Sequence, residues 1–157
     1  MAHWLMALAV AVAFAGDGDP VKKDNNPVDQ VQAKVCAVLA NLDSLPADKK
    51  KAEEVLRQEL YRIVDTDLVK LRPPKGAATL VSKDRRFVLV IGANGAIGAN
   101  GQSVEAKDGK ALIVMAVAGD GGPGQNKNIQ SGFGGAAATQ AKNGIAIALG
   151  GRGAPGS

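Results

Sequence analysis

Between residues 28 and 64 the apolar side chains recur at threes and fours. Val28, Val31, Val35, Val38, Leu39 and Leu42 fall on one stripe, and Ala52, Val55, Leu56, Leu60, Ile63 and Val64 on a second. That is the spacing of two amphipathic helices. Asp29 suits the positive end of the first helix dipole. Residues 43–48, with Ser44 as N-cap and Pro46 in the first turn, read as a break and a new start. Lys49, Lys50, Lys51, Glu53, Glu54, Arg57 and Glu59 populate the solvent face of the second helix, with Glu53 and Arg57 in the favourable acid-before-base order. Arg72-Pro73-Pro74-Lys75-Gly76 ends the helical half. Two helices joined by a short break predict an antiparallel hairpin over residues 28–72.

From Thr79 onward the pattern changes from stripes to runs. Phe87 to Ile91 and Ala111 to Ala118 are continuously apolar, the pattern of strands buried on both faces, while Gly144 to Leu149 alternates large with small. A helical hairpin covers only one face of such strands. The nearest cover for the other is glycine. Three blocks share a layout of Lys-Asp or Lys-Asn turn, apolar strand and glycine tract, with turns at Lys83, Lys107 and Lys142 spaced 24 and 35 residues apart. Within the tracts the glycines step by three: Gly92, Gly95, Gly98 and Gly101, then Gly119 and Gly122, then Gly150, Gly153 and Gly156. Three is the period of the polyproline-II helix, which has no internal hydrogen bonds and must find partners if buried. The alternative is a set of surface loops with glycine turns.

The expected fold is therefore α+β. An N-terminal antiparallel helical hairpin packs on a small glycine-rich β repeat, residues 79–157, with polyproline-II-type tracts. The unequal spacing makes that repeat a degenerate, solenoid-like one rather than a strict solenoid.

Upstream, His3 to Ala15 is an apolar run ending in Ala13-Phe14-Ala15, a small-x-small site before Gly16. It reads as a cleaved signal peptide over residues 1–15, too short for the ~20 apolar residues of a membrane span. Residues 16–27 are polar and breaker-rich, a flexible segment. The expected location is secreted or periplasmic, with no transmembrane anchor after cleavage. Cys36 is the only cysteine, so an intramolecular disulfide is excluded, and its position suggests a small core residue.

Composition narrows the chemistry. The one histidine, His3, and the one tryptophan, Trp4, leave with the leader. No imidazole remains for Ser-His-Asp or Cys-His catalysis or for a zinc site. Of 20 glycines 17 lie beyond residue 78, and so does the whole net charge of +4. Gly119 to Gly124 matches GxGxxG after a strand, but no amphipathic helix follows and no acidic residue occurs after Asp120 to hold a ribose. No cofactor is expected, and calcium-loop spacings are missing.

Arg85, Arg86, Lys107, Lys110, Lys142 and Arg152 flank the strands at similar places in the blocks. Aligned along one edge they would contact an anionic envelope polymer, or discourage sheet-to-sheet aggregation. Phe87 and Phe133 are the only aromatics of this half, too few for specific nucleic-acid recognition.

The blocks GIAIALGGRGAPG and GDGGPG, with ATQAKNG ahead of the former, resemble the glycine-rich repeats of secreted bacterial surface proteins such as the mycobacterial PE-PGRS family. The resemblance covers residues 79–157 and lies in composition. It implies a cell-envelope role in structure, adhesion or assembly, with no catalytic residues to carry over. The PE-type N-terminal domain of that family is not present, and only three blocks occur.

The leading expectation is an exported, non-enzymatic structural or interaction protein of the cell surface or matrix, with self-association through the glycine tract that ends the chain. A secreted or periplasmic binding module using the helical hairpin is the alternative. A small hydrolase using Asp84, Glu105, Asp108 or Asp120 is the third.

Overall fold

A computed structural model describes residues 26–125 and 130–154. The expected signal peptide at residues 1–15, most of the polar segment expected after it, and Gly156 lie outside the described residues. Helix α1 (Pro27–Ala40) starts where Asn26 turns its side chain back to accept the Val28 N–H at 3.1 Å, with Pro27 in the first turn. Helix α2 (Lys49–Ile63) is capped by Asp48, which accepts the Lys51 N–H. Ser44 is not the cap expected of it. It closes a short 3-10 turn, Leu42–Ser44, with its hydroxyl on the Asn41 carbonyl. After α2 the chain widens into a π turn, Val64–Leu68, and tightens into a 3-10 turn, Val69–Leu71.

Six strands follow: β1 (Ala77–Val81), β2 (Phe87–Gly92), β3 (Val104–Asp108), β4 (Ile113–Val117), β5 (Ala137–Ala141) and β6 (Ile145–Leu149). They form two sheets. The larger has the order β1-β2-β4-β6, with β1 antiparallel to β2 and the other pairs parallel. The smaller is the parallel pair β3-β5.

The period of two along each strand divides the interior into two cores. Phe87, Leu89, Ile91, Ile113, Met115, Val117, Ile147 and Leu149 meet Val28, Val31, Val35, Leu60, Ile63, Val64 and Leu68 of the helical segment. The opposite face, Val88, Val90, Val114, Ala116 and Ala118, meets Val104 and Ala106 of β3, with Ala137 and Ala141 of β5. All of β2 and β4 is buried as a result, the burial that their unbroken apolar runs predict.

The expected solenoid-like repeat does not form. The fold is α+β, with two helices on a mixed four-stranded sheet that is backed by a separate two-stranded sheet. The antiparallel β1 interrupts any uniform winding, and the three blocks enter different surroundings. The strands β1, β3 and β5 were not expected at all. Their burial alternates along the strand, and polar Glu105, Lys107 and Gln140 interrupt the apolar signal of β3 and β5; the turn expected at Lys107-Asp108 is instead the end of β3, with the chain turning after it. Cys36 also departs from expectation. It is an exposed thiol on α1, because it follows Val35 around the helix, off the apolar stripe.

The glycine tracts leave the strand ends and pack on one another. The N–H of Gly101 bonds the Phe133 carbonyl, that of Gly122 the Ala99 carbonyl, that of Gly132 the Gly122 carbonyl and that of Gly151 the Gly135 carbonyl, all within 2.9 Å. A side chain would destroy this approach. A Cβ on Gly119 would overlap the Ala93 carbonyl, and one on Gly122 the Ala96 carbonyl. Gly119→Ala is therefore expected to lose about 1–3 kcal/mol of stability or more by chemical denaturation, the range for overpacking. Gly109→Ala, where a Cβ meets nothing within 4 Å, should change stability little.

Candidate functional site

Sheets end in two edges, and here the edges differ. On β1, the Ser82 N–H bonds the Phe87 carbonyl and the Ala93 N–H bonds the Gly76 carbonyl. The backbone of Ala77, Thr79 and Val81 therefore faces outward. At the other edge, the Ile145 N–H bonds the Leu112 carbonyl at 2.8 Å and the Ala118 N–H bonds the Leu149 carbonyl at 3.0 Å. A parallel ladder then points Ile145, Ile147 and Leu149 at β4, and the N–H and C=O groups of Ala146 and Ala148 away from it. The segment Ile145–Leu149 carries no charge, no proline and no bulge, the devices that usually blunt an edge.

Helix α2 stands beside this edge. Glu53, Leu56, Arg57, Leu60 and Tyr61 form one wall of a groove of about 360 Å³, and Ile147 to Gly150 form the other. Leu56, Leu60, Ile147 and Leu149 make it apolar at depth, with Glu53 and Arg57 at the rim. Ile145 begins the strand 45% exposed, next to Leu112 at 51%.

The far end of the groove is locked by Arg152. Its guanidinium bridges Asp65 in the π turn after α2 and Asp120 in the second tract, at 2.5 Å and 3.2 Å, and lies 5.1 Å from the centre of the Tyr61 ring. Its N–H also donates to Asp120, at 2.7 Å. The Tyr61 hydroxyl donates to the Gly150 carbonyl at 2.5 Å, closing the ladder edge at that point. Behind them the half-buried Arg72 donates to the carbonyls of Gly92 and Ala118, where β2 and β4 end. The carboxylates Asp65 and Asp120 push the Arg152 guanidinium to an even higher pKa than usual. Burial pushes Asp120 up, but the Arg152 N–H and guanidinium and the charges of Arg152 and Arg72 outweigh it and hold the carboxyl below its ordinary range.

The residues singled out in the sequence are distributed as follows. Arg85 and Arg86 lie in the β1–β2 turn, Lys110 in the β3–β4 turn and Lys142 in the β5–β6 turn. Because Phe87, Ile113 and Ile145 are in register, these four share the starting end of the parallel strands. Lys107 is on β3, bonded to Glu105 at 2.7 Å. Arg152 is at the opposite end. Gly95, Gly101, Gly119 and Gly122 each abut a neighbouring backbone, Gly92 ends β2 against the Gln102 carbonyl, and Gly98 turns with φ 72°. A Cβ on Gly150 would meet only the Gly135 carbonyl, at 3.7 Å, and one on Gly153 would meet open space.

The four candidate carboxylates are engaged structurally. Asp84 accepts from Ser82, Gln32 and the Arg86 N–H; Asp108 accepts the N–H groups of Lys110 and Ala111; Glu105 pairs with Lys107, and Asp120 with Arg152. Sequence reasoning missed Tyr61, Asp65 and Arg72, which belong to helix ends, and the tract 132–135, whose Gly132 and Gly135 carry the same step of three.

Comparison with family models, with curated proteins and with solved structures finds no match to this chain.

The carboxylates make stability depend on acidity with a definite sign. Asp84 is pushed up by burial but held low overall by Ser82, the Arg86 N–H and Gln32, and Asp108 is held low by the Ala111 and Lys110 N–H groups. With Asp120 they titrate lower folded than unfolded. Their contribution is complete above the unfolded carboxylate range, near ~4, and is lost as pH falls through and below it. Denaturation midpoints should fall steeply below that range, and Asp120→Asn should flatten part of the fall while lowering stability at neutral pH. Arg152→Ala should cost on the order of 1 kcal/mol, since the group is largely exposed.

Proposed function

We propose that the protein is an exported, non-enzymatic structural or interaction protein of the cell surface or matrix, and that it engages its partner by strand addition at β6. The observation that carries this reading is the uncharged edge of β6 beside the apolar wall of α2, whose outward N–H and C=O groups find no partner among the described residues. A row of free N–H and C=O groups supplies affinity for an extended backbone, and the groove receives alternate side chains. The apolar run ending in Ala13-Phe14-Ala15 supports export, and the glycine-rich composition supports an envelope setting. The basic turns at Arg85, Arg86, Lys110 and Lys142 would orient this edge toward anionic polymers.

Expression with the leader followed by fractionation tests the reading. The chain is expected in the envelope or medium, beginning at or near Gly16 by mass. Ile145→Lys and Ala148→Pro should be exported normally yet lose retention at the surface. An intact Met1 on cytosolic protein overturns export, and edge variants retained like the parent chain overturn the role of β6.

A further inference from the structure

We propose that Asn143 is a self-modifying site: in the folded protein its side-chain amide is displaced by the Gly144 main-chain nitrogen, and water then converts the residue to aspartate and isoaspartate. This chemistry is independent of what the β6 edge binds.

The sequence holds three Asn-Gly pairs, Asn94-Gly95, Asn100-Gly101 and Asn143-Gly144. Glycine leaves the nitrogen after an asparagine unobstructed and its backbone free to turn, so these are the positions where ring closure on the side chain is easiest. The fold separates them. Asn94 Oδ1 accepts the Asp120 N–H at 3.0 Å, while the Gly95 N–H donates to the Asp120 carbonyl at 2.7 Å. Asn100 Oδ1 accepts the Phe133 N–H at 2.9 Å, while the Gly101 N–H donates to the Phe133 carbonyl at 2.8 Å. Each pair clamps both main-chain polar groups of one residue in a neighbouring tract, and Asp120-Gly121 holds Arg152 in the same way. The side-chain group and the glycine nitrogen that would react are the groups that clamp. Asn143-Gly144 makes no such clamp. It lies in the exposed turn between β5 and β6, and neither its side-chain amide nor the Gly144 N–H has a hydrogen-bond partner among the described residues.

Water is the only co-reactant. The Gly144 nitrogen, on giving its proton to solvent, forms a bond to Asn143 Cγ; the bond from Cγ to the amide nitrogen breaks, and ammonia leaves with a proton taken from solvent. The product is a cyclic imide. Water adds at either ring carbonyl and the ring C–N bond at that carbon breaks. Opening at Cγ restores the main chain with an aspartate side chain, and opening at the main-chain carbonyl routes the chain through Cγ as isoaspartate. Either product places a carboxylate at the starting end of the parallel strands, among Arg85, Arg86, Lys110 and Lys142. Isoaspartate also lengthens the link from β5 to β6 by a methylene group. Asp108-Gly109, in the β3–β4 turn, is the slower relative of this site: its carboxyl must be protonated before it can lose water, and the N–H groups of Lys110 and Ala111, at 2.7 and 2.6 Å, favour the ionised form.

Peptide mapping by mass spectrometry, on the full chain aged in mildly alkaline buffer both folded and in urea, tests the proposal. Relative to its own rate in urea, Asn143 should convert in the folded chain at least about tenfold faster than Asn94 and Asn100, whose clamping bonds must open first. Fragmentation should show isoaspartate at position 143. The aged chain should leave a cation exchanger early, together with the Asn143→Asp variant. Asn143→Gln, whose longer side chain closes its ring far more slowly, should lose the early-eluting form and keep the circular dichroism spectrum of the parent. Should that variant fail to fold, the residue-by-residue rates of the unaltered chain decide alone. Asn143 that stays intact in the folded chain while converting in urea overturns the proposal. So does conversion of Asn94 or Asn100 in the folded chain at the rate of Asn143.

Discussion

Backbone polar groups that leave a strand end must still find partners, and the rest of this structure depends on how the glycine tracts satisfy theirs. Segments without internal hydrogen bonds can be packed only if neighbouring segments donate and accept in their place. Here the tracts bond to one another, Gly101 to Phe133, Gly122 to Ala99, Gly151 to Gly135. The approach is so close that a Cβ on Gly119, Gly121 or Gly132 would overlap a carbonyl of the facing chain. The glycines act as spacers of zero width. Their conformational cost in the unfolded chain is offset by backbone bonds that no other residue type could form there.

That layer is tied to the helical layer by side chains. Arg152 joins the third tract to the second through Asp120 and to the π turn after α2 through Asp65. Tyr61 adds a second tie from α2 to Gly150. These contacts gather at the finishing end of β4 and β6, beside Arg72 on the carbonyls that end β2 and β4. The helical half balances its charge in the sequence, yet one of its carboxylates is spent on the basic half, which explains how an exposed arginine far along the chain orders a helix terminus.

The two edges of the larger sheet then differ for a reason that lies in packing. Helix α2 stands beside β6 and leaves an apolar groove along it, with the outward N–H and C=O groups of Ala146 and Ala148 without a partner among the described residues. The same IAIAL pattern that buries Ile147 and Leu149 under the helices leaves an alanine face thin enough for close approach on the other side.

The sequence by itself determined the two helices, the three strands with continuous or alternating apolar residues, and the step of three in the glycines. Each is a local pattern, readable because periodicity reports which faces are buried. Only the tertiary structure decided the rest. The strands β1, β3 and β5 exist because neighbours pair with them, and their own residues, such as Glu105, Lys107 and Gln140, carry little apolar signal. The mixed sheet replaced the expected repeat because strand order and direction are set by long-range pairing. The Tyr61–Asp65–Asp120–Arg152 cluster joins residues separated by as many as 91 positions, and no local period marks such a meeting. The open edge of β6 was likewise invisible, because an edge is defined by which strand lacks a neighbour.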